Sequence, residues 1–169
     1  MTRKIKLLIL LCCLFPWLRA NAAIGTSAGS GSICPGDEVV IPITVTGCND
    51  MAALSLALSY DTTKVSYLGY QNMNANLSGM LVNQTKGTIY FSWANATAVN
   101  LGDAILLELR FQGIVGSTGL NWNTSLCEYS DPSGTILPAN YYNGSISIYT
   151  VPAITYVDCR LSSRASVLY

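Results

Sequence analysis

Few side chains in this chain are of the kinds that do chemistry. None of the 169 residues is histidine, so Ser-His-Asp and Cys-His arrangements are excluded and a nucleophile would lack its usual base. A glycosidase needs two facing carboxyl groups about 5–10 Å apart. The mature glutamates are Glu38, Glu108 and Glu128, and Glu38 adjoins a strand start. Asp61, Asp103 and Asp131 sit in turns, where carboxylates cap backbone amides. These residues assign no catalytic group, and the chain reads as a non-enzyme. There is no EF-hand-like spacing and no close CxxC pair, so neither a metal site nor a cofactor is expected. Binding chemistry remains. Sugar sites use exposed aromatic rings beside amides and hydroxyls, and Tyr67, Tyr70, Tyr141 and Tyr142 are the candidates, the last two between Asn140 and Asn143. The plain alternative for each is a half-buried ring with a wet hydroxyl.

The cysteines carry a second chemistry. Four lie beyond the leader: Cys34, Cys48, Cys127 and Cys159. An exported chain meets oxidising conditions, where disulfides form. Four cysteines allow three pairings, and the sequence does not choose among them. The favoured pair is Cys34 with Cys127, tying the start of the first strand to the loop after Trp122. Closing such a loop would contribute about 4–5 kcal/mol in the chain-entropy picture. Cys48 is then left unpaired, because Cys159 lies in the tail.

Export itself is read from the first residues. Arg3, Lys4 and Lys6 precede an apolar run, then Pro16, then Ala20-Asn21-Ala22. That order is a secretory signal peptide over residues 1–23, cleaved after Ala22 or Ala23. The run is shorter than the roughly 20 residues a membrane span needs. Removing the leader leaves five basic and nine acidic side chains, four net negative. A mildly acidic chain without a basic cluster argues against nucleic acid and against anionic membrane. The expected location is outside the cell, secreted or at its surface.

The elements that must position these groups are strands. Val39-Val40-Ile41-Pro42-Ile43-Thr44-Val45 reads as one, with Pro42 suggesting an edge or a bulge. Leu54, Leu56, Leu58 and Tyr60 alternate with Ser55, Ala57 and Ser59. Val65-Ser66-Tyr67-Leu68 follows a turn. Ile89, Phe91 and Trp93 share a face, as do Ile105, Leu107, Leu109 and Phe111. Leu120 and Trp122 mark a short strand; Trp122, between Asn121 and Asn123, can face either way. Asn143-Gly144 leads into Ser145-Ile146-Ser147-Ile148-Tyr149. The segment from Asn72 to Asn76 reads as a polar loop. Short strands at close spacing predict two packed antiparallel sheets, with a core of Leu54, Leu56, Leu58, Ile89, Phe91, Trp93, Ile105, Leu107, Leu109, Phe111, Ile146 and Ile148. Residues 24–149 form this domain. Residues 150–169 read as a linker, or the truncated start of a following module.

Cys34-Pro35-Gly36-Asp37, the 39–43 strand, Leu54 through Tyr60-Asp61, and Val65-Ser66-Tyr67-Leu68-Gly69-Tyr70 together resemble the front half of a cohesin domain. Gly87 to Trp93, Leu106 to Phe111 and Asn143-Gly144-Ser145-Ile146 resemble its later strands. Cys34 with Cys127-Glu128-Tyr129 is similar to cohesin-like modules of secreted Bacteroidetes proteins. The resemblance implies an all-β jelly-roll sandwich of about nine strands, in the same superfamily as cellulose-binding modules. It implies a dockerin partner and assembly linked to polysaccharide degradation. It also implies a partner-binding sheet face, expected here at Ser55, Ala57, Tyr90, Ser92, Glu108 and Arg110. The polar Asn and Asp that hold the dockerin in scaffoldin cohesins fall on Ala53 and Ser55. Two readings stand beside it: a carbohydrate-binding module, and a structural spacer domain.

Overall fold

The computed structural model describes residues 22–149; the segment read as a signal peptide, up to residue 21, and the one read as a linker, 150–169, lie outside the described residues. Twelve strands follow in order: β1 (Ile24–Ala28), β2 (Ser30–Ile33), β3 (Glu38–Cys48), β4 (Met51–Ser59), β5 (Val65–Gln71), β6 (Leu81–Thr85), β7 (Thr88–Val99), β8 (Gly102–Gly113), β9 (Ser117–Trp122), β10 (Glu128–Ser130), β11 (Ala139–Tyr142) and β12 (Gly144–Ile148). They form a sandwich. One sheet has the order β11-β1-β3-β8-β5; the other has β2-β12-β9-β4-β7-β6, with β10 also on β4.

Both sheets are mixed rather than purely antiparallel. β1 runs parallel to β11, and β2 runs parallel to β12. Each pair is one chain crossing between sheets beside another. The first crossing is at Gly29, between β1 and β2. The second is at Asn143-Gly144, between β11 and β12. A Cβ on Gly144 would run into the Gly29 carbonyl and come within 2.9 Å of Ala28 backbone atoms. Backbone cannot yield as a flexible side chain can. Gly144→Ala is therefore expected to destabilise the domain by about 2–3 kcal/mol, near the top of the ordinary range for overpacking. A urea titration with unchanged slope would read this directly. A loss below about 0.5 kcal/mol would mean that the crossing is loose.

Alternation produces the core as expected on β4, β7 and β12. Leu54, Leu56, Leu58, Ile89, Phe91, Trp93, Ile146 and Ile148 are all buried. β8 departs from it. Leu107, Leu109 and Phe111 are buried, but Ile105 is 45% exposed and Leu106 takes its place inside. The register between β3 and β8 slips between Ile43 and Thr44: Leu107 faces Ile43 and Ile105 faces Thr44. One extra residue reverses the alternation upstream of it. The bulge is pinned by the segment expected to be a polar loop. Asn74 donates its backbone N–H to the Leu106 carbonyl at 2.8 Å, and its side-chain amide to the Ile105 carbonyl at 3.1 Å. That segment then turns through a short 3-10 helix, Ala75–Leu77, and buries Leu77.

Of the edge or bulge that Pro42 suggests, the structure has the bulge: β3 lies between β1 and β8, so it is not an edge strand, and its register with β8 slips directly after Pro42, between Ile43 and Thr44. Pro42 is tolerated because β1 has just ended there: the neighbour across from it is Gly29, which donates its N–H to the Pro42 carbonyl at 2.9 Å.

Candidate functional site

The outward face of the β4–β7 sheet is built almost wholly of small side chains. Inward positions on β4 and β7 are leucine, isoleucine, phenylalanine and tryptophan. The outward positions between them are Ala53, Ser55, Ala57 and Ser59 on β4, and Thr88, Tyr90, Ser92 and Ala94 on β7. The register sets Ser55 beside Ser92, Ala57 beside Tyr90 and Ala53 beside Ala94. β6 extends the face, with Leu81 beside Ser92 and Asn83 beside Tyr90. β10 extends it on the other flank, with Glu128 beside Ser55 and Ser130 beside Ala53. Tyr90 is 39% exposed and Leu81 64%. They stand out of an otherwise low, flat surface.

Four of the six residues expected on a partner face, Ser55, Ala57, Tyr90 and Ser92, therefore lie together. Ala57 is fully buried there, because the segment carrying Cys127 closes over its flank: Asn123 donates to the Ala57 carbonyl at 2.9 Å. Glu108 and Arg110 are elsewhere. They point outward from β8, in the opposite sheet. Outward position had been inferred from alternation, which says which way a side chain points relative to its own sheet but not which sheet it belongs to. On that other face Arg110 holds Glu38 in a two-pronged contact, at 2.6 and 2.9 Å. The Arg110 hydrogen bonds keep the Glu38 carboxyl below its usual range. Glu108 accepts from Gln71 at 2.9 Å and from Asn72 at 2.7 Å. Both are occupied in stitching β5, β8 and β3 together. Alternation also passes over the flanks: Leu81, Asn83, Glu128 and Ser130 could be joined to this face only once the strand order is known.

The tyrosines are not gathered. Tyr67 lies edge-on to Phe111 at 5.6 Å, and Tyr141 packs against Trp122 and Tyr129 at 6.1 and 6.5 Å. Burial pushes both phenols up to about 12. Tyr70 and Tyr142 are exposed, but on β5 and β11, the two opposite edges of the five-stranded sheet. At about 4.8 Å per strand they stand roughly 19 Å apart, too far for neighbouring stacking platforms. Trp122 faces inward, its indole donating to the Tyr142 carbonyl at 3.0 Å. Trp93 is likewise inward and donates to the Ser78 carbonyl at 3.2 Å.

The expected Cys34–Cys127 pair is not formed: Cys127 and Cys48 carry free thiols. Cys34 follows β2 at the end of the sandwich where Ser147 meets Ser117. Cys127 lies beside Ala57, beyond the other end of β9 at Trp122. The length of β9 alone separates those ends by about 17 Å, whereas a disulfide needs Cα atoms within about 7 Å. Cys127 does different work. β9 pairs with β4 only at Leu58 and Ser59, and β10 takes over at Ser55. In the gap the Ala57 N–H is satisfied by the Cys127 sulfur at 3.4 Å. Burial pushes the Cys127 thiol up, so it stays neutral and serves as a weak acceptor. Cys48, fully buried against Met51 at 3.8 Å, is raised to about 11 by desolvation. Cys127→Ala orphans the Ala57 amide and is expected to cost about 1–3 kcal/mol. Cys127→Ser supplies an oxygen and should cost less. Equal losses in chemical denaturation would sink this role for the sulfur.

Among the described residues no three carboxylate, thiol or imidazole side chains are grouped to hold a metal ion. The face offers hydroxyls, methyls, an amide, one ring and one carboxylate.

A family model for the cohesin domain matches residues 24–148. No curated protein sequence matches the chain. Among solved structures, a cohesin from Clostridium acetobutylicum, determined in solution, is 22% identical with a TM-score of 0.66; the match covers 76% of this chain and 92% of that one. A cohesin–dockerin complex from Clostridium thermocellum is 13% identical, with a TM-score of 0.69 over 78% of this chain and 97% of that one. A non-cellulosomal cohesin from the archaeon Archaeoglobus fulgidus is 19% identical, with a TM-score of 0.65 over 76% and 93%.

Proposed function

We propose that this chain, which belongs to the cohesin family, is a non-catalytic module that binds a dockerin-type protein through the outward face of β4, β6, β7 and β10. The observation that carries this reading is the flat β4–β7 surface, in which Tyr90 and Leu81 stand exposed on a ground of alanine and serine. Protein interfaces favour aromatic anchors set in a largely uncharged centre. A solvated sheet face of no function would ordinarily carry more charge and fewer exposed large apolar groups. Ala53 and Ser55 stand where scaffoldin cohesins have polar Asn and Asp, so the partner's grip is placed on Tyr90, Leu81 and shape rather than on a central pair of hydrogen-bonding side chains. We place the module outside the cell, in an assembly that degrades polysaccharide, with residues 1–23 as its signal peptide and residues 150–169 as the link to a following module.

The test is titration calorimetry of the domain against dockerin modules from the same genome, each produced singly, alongside retention on insoluble polysaccharides. Micromolar or tighter binding of at least one dockerin, weakened tenfold or more by Tyr90→Ala, is the expected result. Retention on polysaccharide with no dockerin bound would overturn the reading in favour of a sugar-binding module. Binding to neither would leave a spacer domain.

A further inference from the structure

We propose that Cys34 is joined by a disulfide to Cys159, which fastens the chain beyond the last strand back onto the turn that follows β2. The proposal goes beyond the dockerin reading and does not depend on it.

Cys34 is disulfide-bonded. The two other described cysteines, Cys48 and Cys127, are free thiols, so the partner is Cys12, Cys13 or Cys159. Where the chain enters and leaves the domain decides among them. It enters at Ile24, and Gly25 pairs with Thr46 near the far end of β3. Cys34 lies at the other end of β3: Asp37 donates its N–H to the Cys34 carbonyl at 3.1 Å, and Glu38 begins the strand. From Glu38 to Thr46 β3 runs about 27 Å. Cys13 precedes Ile24 by eleven residues, a reach of at most about 40 Å. To meet Cys34 it would have to use most of that reach along the sandwich. Cys12 and Cys13 also belong to the segment proposed above to be cut away as a signal peptide.

The exit, by contrast, is beside Cys34. Ile148 pairs with Ile33, and Tyr149 donates its N–H to the Ile33 carbonyl at 2.9 Å. Cys159 is ten residues further on. A segment of that length closes on its own start at modest entropic cost. The receiving turn is firm. Pro35 and Gly36, the latter at φ 85°, are the centre of a type II turn closed by the Asp37–Cys34 hydrogen bond. Gly36 donates to the Gly113 carbonyl at 2.9 Å and Gly113 donates to the Asp37 carbonyl at 3.0 Å, so the turn is tied to β8.

The bond forms by thiol–disulfide exchange with an oxidised thiol compound such as glutathione disulfide. One cysteine thiolate attacks the oxidant and releases one glutathione. The second cysteine then displaces the other glutathione, so two protein thiols are oxidised and one small disulfide is reduced to two thiols. Anything beyond Cys159 would then start from the Cys34 turn. A pull on it would load that turn rather than peel the short β12 (Gly144–Ile148) from β9.

The experiment folds the full-length chain in a glutathione redox buffer, unfolds it with an alkylating agent present and digests it without reductant for mass spectrometry. The expected product is a Cys34 peptide linked to a Cys159 peptide, with Cys48 and Cys127 alkylated. In Cys159→Ser, Cys34 should be alkylated too, and the protein should melt with reduced wild type, below the oxidised form. Wild-type Cys34 found alkylated, linked to Cys12, Cys13, Cys48 or Cys127, or linked to a second copy in a non-reducing gel would overturn the proposal. Each of those results would leave the dockerin reading untouched.

Discussion

Phe111→Ala is expected to destabilise the domain by about 3–5 kcal/mol, the range for removing a large buried ring. Phe111 is fully buried on β8. Two tyrosine rings meet it edge-on, Tyr60 at 5.3 Å and Tyr67 at 5.6 Å. Tyr60 ends the strand segment that leads out of β4, and Tyr67 is on β5, so one ring joins both sheets at this end of the sandwich. Its backbone pairs with Val39 on one side and Tyr67 on the other. The site cannot collapse easily, because strands flank it on both sides and a cavity would remain. Such a loss is a large part of the 5–15 kcal/mol that ordinarily holds a domain together. Urea denaturation of the two proteins measures it. A difference below about 1 kcal/mol would mean that the ring is not packed as described. Phe111→Leu should fall between wild type and Phe111→Ala.

Ser55→Arg is expected to abolish partner binding at least a hundredfold while changing stability by less than about 0.5 kcal/mol. A hundredfold corresponds to about 2.7 kcal/mol, within the usual range for an interface centre. Ser55 is exposed and stands between Ser92 and Glu128. A long cationic side chain there would rise out of a surface of small residues, beside Glu128, and hold the partner off it. Exposed strand positions of this kind ordinarily tolerate substitution with little effect on folding. The pair of measurements separates the two effects: a melting temperature near wild type together with lost binding. A variant that still binds within threefold would move the interface away from β4.

Much of this architecture was legible in the sequence, for a physical reason. Leu54, Leu56 and Leu58, and likewise Ile89, Phe91 and Trp93, alternate strictly, and strict alternation has only one buried face to offer. Trp122 could not be assigned from Asn121 and Asn123, because its orientation depends on the carbonyl of Tyr142 in another strand. Ile105 was misplaced because the β8 bulge is pinned by Asn74, some thirty residues earlier in the chain. The parallel pairs β1 with β11 and β2 with β12 join residues more than a hundred positions apart, and no local pattern encodes them.

The candidate face was half legible. Ser55, Tyr90 and Ser92 follow from alternation on strands that are neighbours. Glu108 and Arg110 alternate just as clearly, but their strand belongs to the other sheet. Cys127 shows the same limit for covalent chemistry. Its type and the expected export pointed to a disulfide, whereas its position, at the gap between β9 and β10, gives it a hydrogen-bonding role toward Ala57.

The most direct measurement of the central claim is an amide chemical-shift map of the 15N-labelled domain as a bound dockerin is added. The account predicts that the largest changes fall on Ala53, Ser55, Leu81, Asn83, Tyr90, Ser92 and Glu128, in one contiguous patch. Changes centred instead on Val40, Glu108 and Arg110, across the β3–β8 face, would contradict it.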